Sequence, residues 1–269
     1  MIVRRLATIG ILTGILGAGC SGGAAAPQPL PPVDRAKFAA AADAIHEATQ
    51  RSLRSSAKVL TTVTATTTTA TKRYTITIRG AYDMRSERGR LTVVFPGGGI
   101  DRVNVVFTRS EVYVDRLANM PEGAWAVSPR DRVKTHYLLR TPANDPGAVV
   151  KQVAEIQRPL LIGEEHLRAV ATKHYRGWLD WKTVTKYLAA DRLDAANKLR
   201  DGLGTDGVPT DVWIDDKDRI VRILVAYGVG GVGSKLQLDL SDYGSSVRVR
   251  VPSPDYEVPE GGFSGVLLG

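Results

Sequence analysis

The sequence predicts an α+β domain: an antiparallel sheet of roughly eight to ten strands, with about three helices laid on its apolar face. Three observations carry that expectation. Apolar residues recur at helical spacing in a few stretches, as at Phe38, Ala41, Ala42, Ile45 and Ala48. Elsewhere they alternate strictly with polar residues, as at Leu236, Leu238 and Leu240. Strand-like runs follow one another in series, with the helical stretches set between them, and such meanders cover one face and wet the other. Hydrophobic residues make up 43% of the 269 and charged residues 24%, a composition that folds.

The elements follow in order. Asp34 suits an N-cap, and the apolar spacing behind it predicts a helix over 35–55. The period then changes to two. Residues 60–71 carry eight threonines, a β-branched run uninterrupted by proline, which favours a strand over a glycosylated stalk. Tyr74, Ile76, Ile78 and Tyr82 alternate with Thr75, Thr77 and Arg79 in the next strand. Further strands are expected over 90–95, 101–107 and 111–115, with the Pro96-Gly97 turn between the first two. Asp145-Pro146 starts a short helix carrying Val149, Val150, Val153 and Ile156. Residues 165–179 read as extended. Asp180 caps a helix over 181–201, whose face is Val184, Tyr187, Leu188, Ala195 and Leu199 and which Gly202 ends. The last third is a meander: 208–214, a turn at Asp215–Asp218, 220–227, a strand around Leu236 to Leu240, and one around Val247 to Val251. Beyond Pro252 the chain reads as loose, and the domain is assigned to 34–258 with a tail over 259–269.

The first residues read as an address. Arg4 and Arg5 precede an apolar run over 6–16, and Gly17, Ala18 and Gly19 lead into Cys20, the only cysteine. This is the layout of a secretory signal over 1–19. The junction resembles a bacterial lipobox, whose cysteine is acylated and becomes the new N-terminus; Gly17 stands where that motif usually has leucine. Cys20 is therefore the expected lipidation site, and more than one acyl chain makes anchoring stable. Export would place the protein on the outer face of the cytoplasmic membrane. Residues 20–33 hold Pro27, Pro29, Pro31 and Pro32, a semi-rigid spacer. Removing 1–19 takes away two arginines, leaving 34 basic against 28 acidic residues, so the net charge falls from +8 to +6.

Candidate chemical motifs have plain alternatives. Gly228, Gly230 and Gly233 match a dinucleotide-binding string, but that motif needs a strand before it and a helix after it, and a strand follows here. Asp215, Asp216 and Asp218 lack the remaining ligands of a calcium loop. His46, His136, His166 and His174 are scattered, and no nucleophile elbow is present, so no catalytic residue, metal or cofactor is expected and the chain reads as no enzyme. Arg85, Arg88, Arg90, Arg130, Arg132 and Lys134 are either solvated loops or contacts to anionic lipid headgroups. Six per cent aromatics and an exported setting argue against nucleic acid as partner. Trp178, Trp181 and Trp213 either pack in the core or line an apolar cavity.

One set of residues carries a family resemblance. Residues 171–177 (ATKHYRG) enter Trp178-Leu179-Asp180; 208–216 (VPTDVWIDD) precede Arg219 and Arg222; and 240–244 (LSDYG) lead into a valine-rich stretch ending at Pro252. With the cysteine, spacer, first helix and threonine-rich run, the order and spacing resemble the LppX/LprG-type actinobacterial lipoproteins. That resemblance implies a LolA-like fold: a curved antiparallel sheet, an unclosed half barrel, with helices packed on its concave face. It also implies an apolar cavity between sheet and helices that binds an acylated lipid or lipoglycan and serves its transport across the envelope. Burial of apolar surface at about 25 cal/mol per Å² would supply the affinity. The candidate lining is Ile76, Ile78, Val103, Val105, Leu236 and Leu238, although the same alternation would also build a filled core. A filled core would suit a sensor or protein-interaction lipoprotein on the same fold.

Overall fold

The structure is a computed structural model and describes residues 35–66, 73–97, 101–117, 120–229 and 232–258. Cys20, the signal over 1–19, the spacer over 20–33, Asp34, Thr67–Thr71 and the tail over 259–269 lie outside the described residues. Within the unit Asp34–Gly269, the described residues form twelve strands, four α-helices and three single 3₁₀ turns.

Helix α1 (Arg35–Leu53) buries Ala41, Ile45, Ala48, Thr49 and Ser52, spaced four, three, one and three apart on one face. The small side chains let it lie close to its neighbours. Strands β1 (Ser56–Thr66), β2 (Arg73–Asp83), β3 (Arg88–Val94), β4 (Arg102–Phe107), β5 (Glu111–Asp115) and β6 (Trp125–Pro129) form one antiparallel meander. Helix α2 (Pro146–Val153) follows, with the Asp145 carboxylate accepting from Gly147 N at 2.8 Å and Pro146 in its first turn, as the sequence predicts. Strands β7 (Gln157–Leu167), β8 (Val170–Asp180), β9 (Gly207–Asp215), β10 (Ile220–Val229) and β11 (Val232–Ser241) form the second meander, with helices α3 (Trp181–Thr185) and α4 (Leu193–Leu203) between β8 and β9. A short β12 (Tyr256–Glu257) adds in parallel to β6.

The strand order is β12-β6-β5-β4-β3-β2-β1-β11-β10-β9-β8-β7, so two meanders join at β1 and β11 and the sheet stays unclosed. Laid flat, twelve strands would span about 50 Å. Yet α2 reaches both halves. A methyl group at Gly147 would sit 3.5 Å from the Tyr82 ring of β2, while Val149 and Gln152 face Leu179, Val225 and Leu236 of β8, β10 and β11. The sheet therefore curls around its helices as a half barrel. Its inner face is continuous. One row of paired residues runs Val103–Val93–Ile78–Thr61–Leu238–Ile223–Val212, and the adjacent row runs Ile76–Val63–Leu236–Val225.

Five expectations are corrected. The helix over 181–201 is broken: α3 ends at Thr185 and α4 starts at Leu193. Thr135 N donates to Tyr187 O at 2.9 Å and Ala189 N to Thr135 O at 2.8 Å, a local ladder that holds 187–189 extended against helical propensity. Gly204, at φ 65, ends α4 in place of Gly202. The extended run over 165–179 is a hairpin whose turn residues Arg168 and Ala169 both have positive φ, without the usual Asn-Gly signal. The valine alternation at 247–251 forms no strand, because both sides of β11 are already paired to β1 and β10. The chain beyond Pro252 is not loose as far as Val258: β12 pairs with β6, and the Asp255 carboxylate accepts from Trp125 N at 2.9 Å.

Candidate functional site

The six predicted lining residues all point to the inner face and all belong to one buried cluster. Ile78, Val103, Val105 and Leu238 are at most 1% exposed and pack within it. Leu236 borders a small void with Leu139, Val149, Gln152, Leu179 and Val225. That void measures about 10 Å³, close to the least that one water needs. Ile76 reaches a larger open space.

That space is a groove of about 230 Å³ at the end of the β1–β2 and β10–β11 ladders. Val63 and Ile76 form its apolar floor, Tyr227 one wall, and Tyr74, Tyr137 and Arg140 the mouth. Val63 pairs directly with both Ile76 and Leu236, so groove and void lie on one row of the inner face. They are separated by the segment 137–140, where Leu138 lines the groove and Leu139 the void. Sequence reasoning assigned no element to 116–144 and so missed this segment. Its only signal is the apolar run Tyr137-Leu138-Leu139 set directly before Arg140.

The segment is held in an unusual backbone. Leu139, Ala143 and Asn144 have φ of 63, 51 and 62, in the left-handed region that costs a side-chain-bearing residue about 1–2 kcal/mol. Thr141 Oγ1 donates to Asp145 O at 2.9 Å, and Arg140 donates to the Asn144 carboxamide oxygen through Nε at 2.9 Å and Nη2 at 2.6 Å. Burial lowers the Arg140 guanidinium to about 10, with the Tyr74 and Tyr137 phenols pulling the other way. Burial likewise raises Tyr74, which Arg140 partly offsets.

A larger cleft of about 620 Å³ lies beside Arg130. Its walls are charged with both signs. Arg130 Nη2 pairs with the Asp145 carboxylate and donates to Tyr82 Oη at 3.1 Å, while its Nη1 donates to Glu87 O at 3.2 Å and Thr108 O at 3.1 Å. Lys151 Nζ meets Glu87 Oε1 at 2.5 Å. Burial pushes the Glu87 carboxyl up, but the hydrogen bond and charge of Lys151, with Arg130 and Arg109, outweigh it and hold the carboxyl below its ordinary value.

The outer face is a polar lattice. His174 stacks on Trp213 with centroids 4.3 Å apart; its Nε2 lies 2.6 Å from Asp211 Oδ1 and its Nδ1 3.2 Å from Glu165 Oε1. A triad base needs one nitrogen on its nucleophile, and here carboxylates engage both. Arg176 shares Asp211 at 2.8 Å, and Arg222 reaches Asp239 Oδ1 at 2.6 Å. Trp213 thus serves the outer face, Trp181 is buried, and Trp178 is 44% exposed. The Asp215 carboxylate closes its turn instead of awaiting a metal: it accepts from Lys217 N at 3.1 Å and Arg219 N at 2.8 Å, and binds the Arg219 guanidinium at 2.6 Å. Val229 pairs with Val232, which makes the glycine string a hairpin. Among the described residues, no group of three or more acidic, histidine or cysteine side chains is placed to hold a metal, and no helix is long and apolar enough to cross a membrane.

An unclosed half-barrel sheet wrapped on its helices, with an apolar groove at the junction of its two meanders, defines an α+β half-barrel fold. Solved structures similar to it include LprF from Mycobacterium bovis, at 16% identity and a TM-score of 0.47, covering 80% of this chain and 98% of that one. The lipoprotein LppX from Mycobacterium tuberculosis is similar at 14% identity and a TM-score of 0.49, covering 81% of this chain and all of that one. A LolA superfamily protein from Nitrosomonas europaea is similar at 12% identity and a TM-score of 0.32, covering 79% of this chain and 94% of that one. No family model matches the chain, and no curated protein matches it.

Proposed function

We propose that this chain is an exported lipoprotein, anchored by acyl groups on Cys20 to the outer face of the cytoplasmic membrane, that binds an acylated lipid between its sheet and helices and passes it on. The observation that carries this reading is the groove. It exposes the apolar inner face of the sheet at one place, above a void on the same row of side chains. Ligand pockets for drug-sized molecules run from about 300 to 1,000 Å³, so the groove in this conformation takes part of a chain. Displacing residues 137–140 would merge groove and void, and the left-handed Leu139 among them lowers the cost of that displacement. In this reading the protein works by binding alone, with no bond made or broken and no cofactor.

Native mass spectrometry of the protein purified from membranes tests the proposal. The expected result is a mass beyond that of the acylated chain, released by organic solvent and identified as an acyl lipid. No such mass, and no uptake of an added labelled lipid, would overturn it. The packed state of Ile78, Val103, Val105 and Leu238 favours one rival, a protein-interaction lipoprotein with a filled core. That reading expects a stoichiometric envelope protein, and no lipid, on pull-down.

A further inference from the structure

Strand β7 stands last in the sheet order, and it carries a run of exposed apolar side chains. Leu161 and Ile162 are 52% and 53% exposed, Leu160 is exposed beside them, and so is Trp178 of β8, which pairs with Gln157. Successive side chains of a strand point to opposite faces, so three exposed in a row make this edge apolar on both sides. A contiguous apolar patch of this kind marks a contact surface. The backbone is defended against one kind of contact. Edge strands recruit other strands through their unpaired N–H and C=O groups, and prolines and bulges prevent it. Here Pro159 lacks the N–H, Arg158 has φ of 46, and the register shifts twice, between Gln157 and Leu160 and between Leu161 and Gly163. The edge thus disfavours a strand from a second copy, while its side chains suit an apolar surface that has no hydrogen-bond register. The flanking groups suit a bilayer. Arg158 precedes the run, Arg176 pairs with Leu160, and Lys173 stands opposite Glu164. Long cationic side chains lay their stems on apolar surface and keep their heads wet, and an indole is at home at the same boundary.

The chain that would carry the anchor ends near this edge. Residues 21–34 join Cys20 to Arg35 and can extend to at most about 50 Å. Arg35 opens α1, a helix about 28 Å long that packs against β7. One lipid signal holds a protein only reversibly, and a second contact stabilises it. Resting on the anchoring at Cys20 proposed above, we infer that Leu160, Leu161, Ile162 and Trp178 dip into the headgroup region of the bilayer that holds the anchor. The β7 edge is then a second membrane contact, and it sets which way the tethered domain faces.

The test uses the acylated chain, purified from membranes and reconstituted in phosphatidylcholine–phosphatidylglycerol vesicles with or without nitroxide-bearing acyl chains. Acylation blocks the one native thiol, so Ile162→Cys and Tyr256→Cys each offer a single site for a fluorophore, on β7 and on β12 at opposite ends of the sheet order. An interfacial segment lies about 5–10 Å into the headgroup boundary, within reach of the nitroxides. The Ile162→Cys label should lose most of its emission in the nitroxide vesicles, and the Tyr256→Cys label little. Adding Leu161→Asp to Ile162→Cys should abolish that loss. Equal emission of the Ile162→Cys label in both vesicles would overturn the inference and leave the anchor intact. Faster disulfide formation between Ile162→Cys chains than between Tyr256→Cys chains would assign the edge to a second copy and would also overturn it. Thiol labelling of the wild-type chain would show Cys20 unacylated and remove the anchoring reading. Flotation of that chain with vesicles, abolished by Leu161→Asp, would then still support the β7 contact, and no flotation would overturn it.

Discussion

Arg130 and Arg140 lie ten residues apart, at the two ends of the stretch that leads into α2, and they are embedded very differently. Arg130 is held by the Asp145 carboxylate, Tyr82, two backbone carbonyls and Glu87, and its guanidinium lies 5.5 Å from the Phe107 ring centre. Arg140 is more deeply buried, and its Nε and Nη2 both donate to the neutral carboxamide oxygen of Asn144. Burial works against the charged form of both. Asp145, Tyr82 and Glu87 reverse that effect at Arg130, whereas at Arg140 burial prevails. The contrast separates two uses of a buried cation. Where carboxylates complete it, the cation fastens the chain through charge; where a carboxamide oxygen receives it, the cation braces the turn into α2 through hydrogen bonds.

The largest test of that contrast is Arg130→Met. It leaves the buried Asp145 carboxylate without its cation, and stability should fall by about 3–5 kcal/mol in urea unfolding. A loss below that of an ordinary surface substitution would break the comparison. Leu236→Ala should cost about 2–4 kcal/mol and open the void beneath the groove, so uptake of an added labelled lipid should rise even as the fold weakens. Arg140→Met should cost about 1–2 kcal/mol, from the hydrogen bonds lost to the Asn144 carboxamide oxygen, well below the loss at Arg130. The smallest effect is at Glu87. Its carboxyl is held below its ordinary 4.5, so its contribution is complete above that pH and is lost as pH falls through the lowered value. Glu87→Gln should flatten that acid limb by less than about 1 kcal/mol, because the group is partly exposed.

How much of this was legible in the sequence follows from what sets each part. Alternation at Tyr74 to Tyr82 and Leu236 to Leu240 reports burial of one strand face, and those strands appear where the pattern places them. Asp145-Pro146 and Asp180 announce their helices, because a cap is a local bond between a side chain and the next turn. The break after Thr185 was hidden, since it is imposed by Thr135, fifty residues earlier. So was β12, a two-residue pairing decided by a free strand edge. The candidate lining divides the same way. Its inward direction was readable from the period, but which residues meet open space depends on where 137–140 lies, and that segment follows no period. Arg140 looked like any surface arginine.

The join between β1 and β11 has a further consequence, measured in time. Ser56 Oγ donates to Ser245 O at 2.6 Å, a residue 189 positions further along the chain. Each meander is made of sequential neighbours and can form as it is synthesised, but β1 keeps one bare edge until β11 emerges. At roughly 5–20 residues per second that wait is about 10–40 s. Val63, on the groove floor, sits on that edge opposite Leu236. The groove proposed to take a ligand is therefore closed only once β11 pairs with β1, and while it waits the growing chain presents there an unpaired strand to whatever it meets.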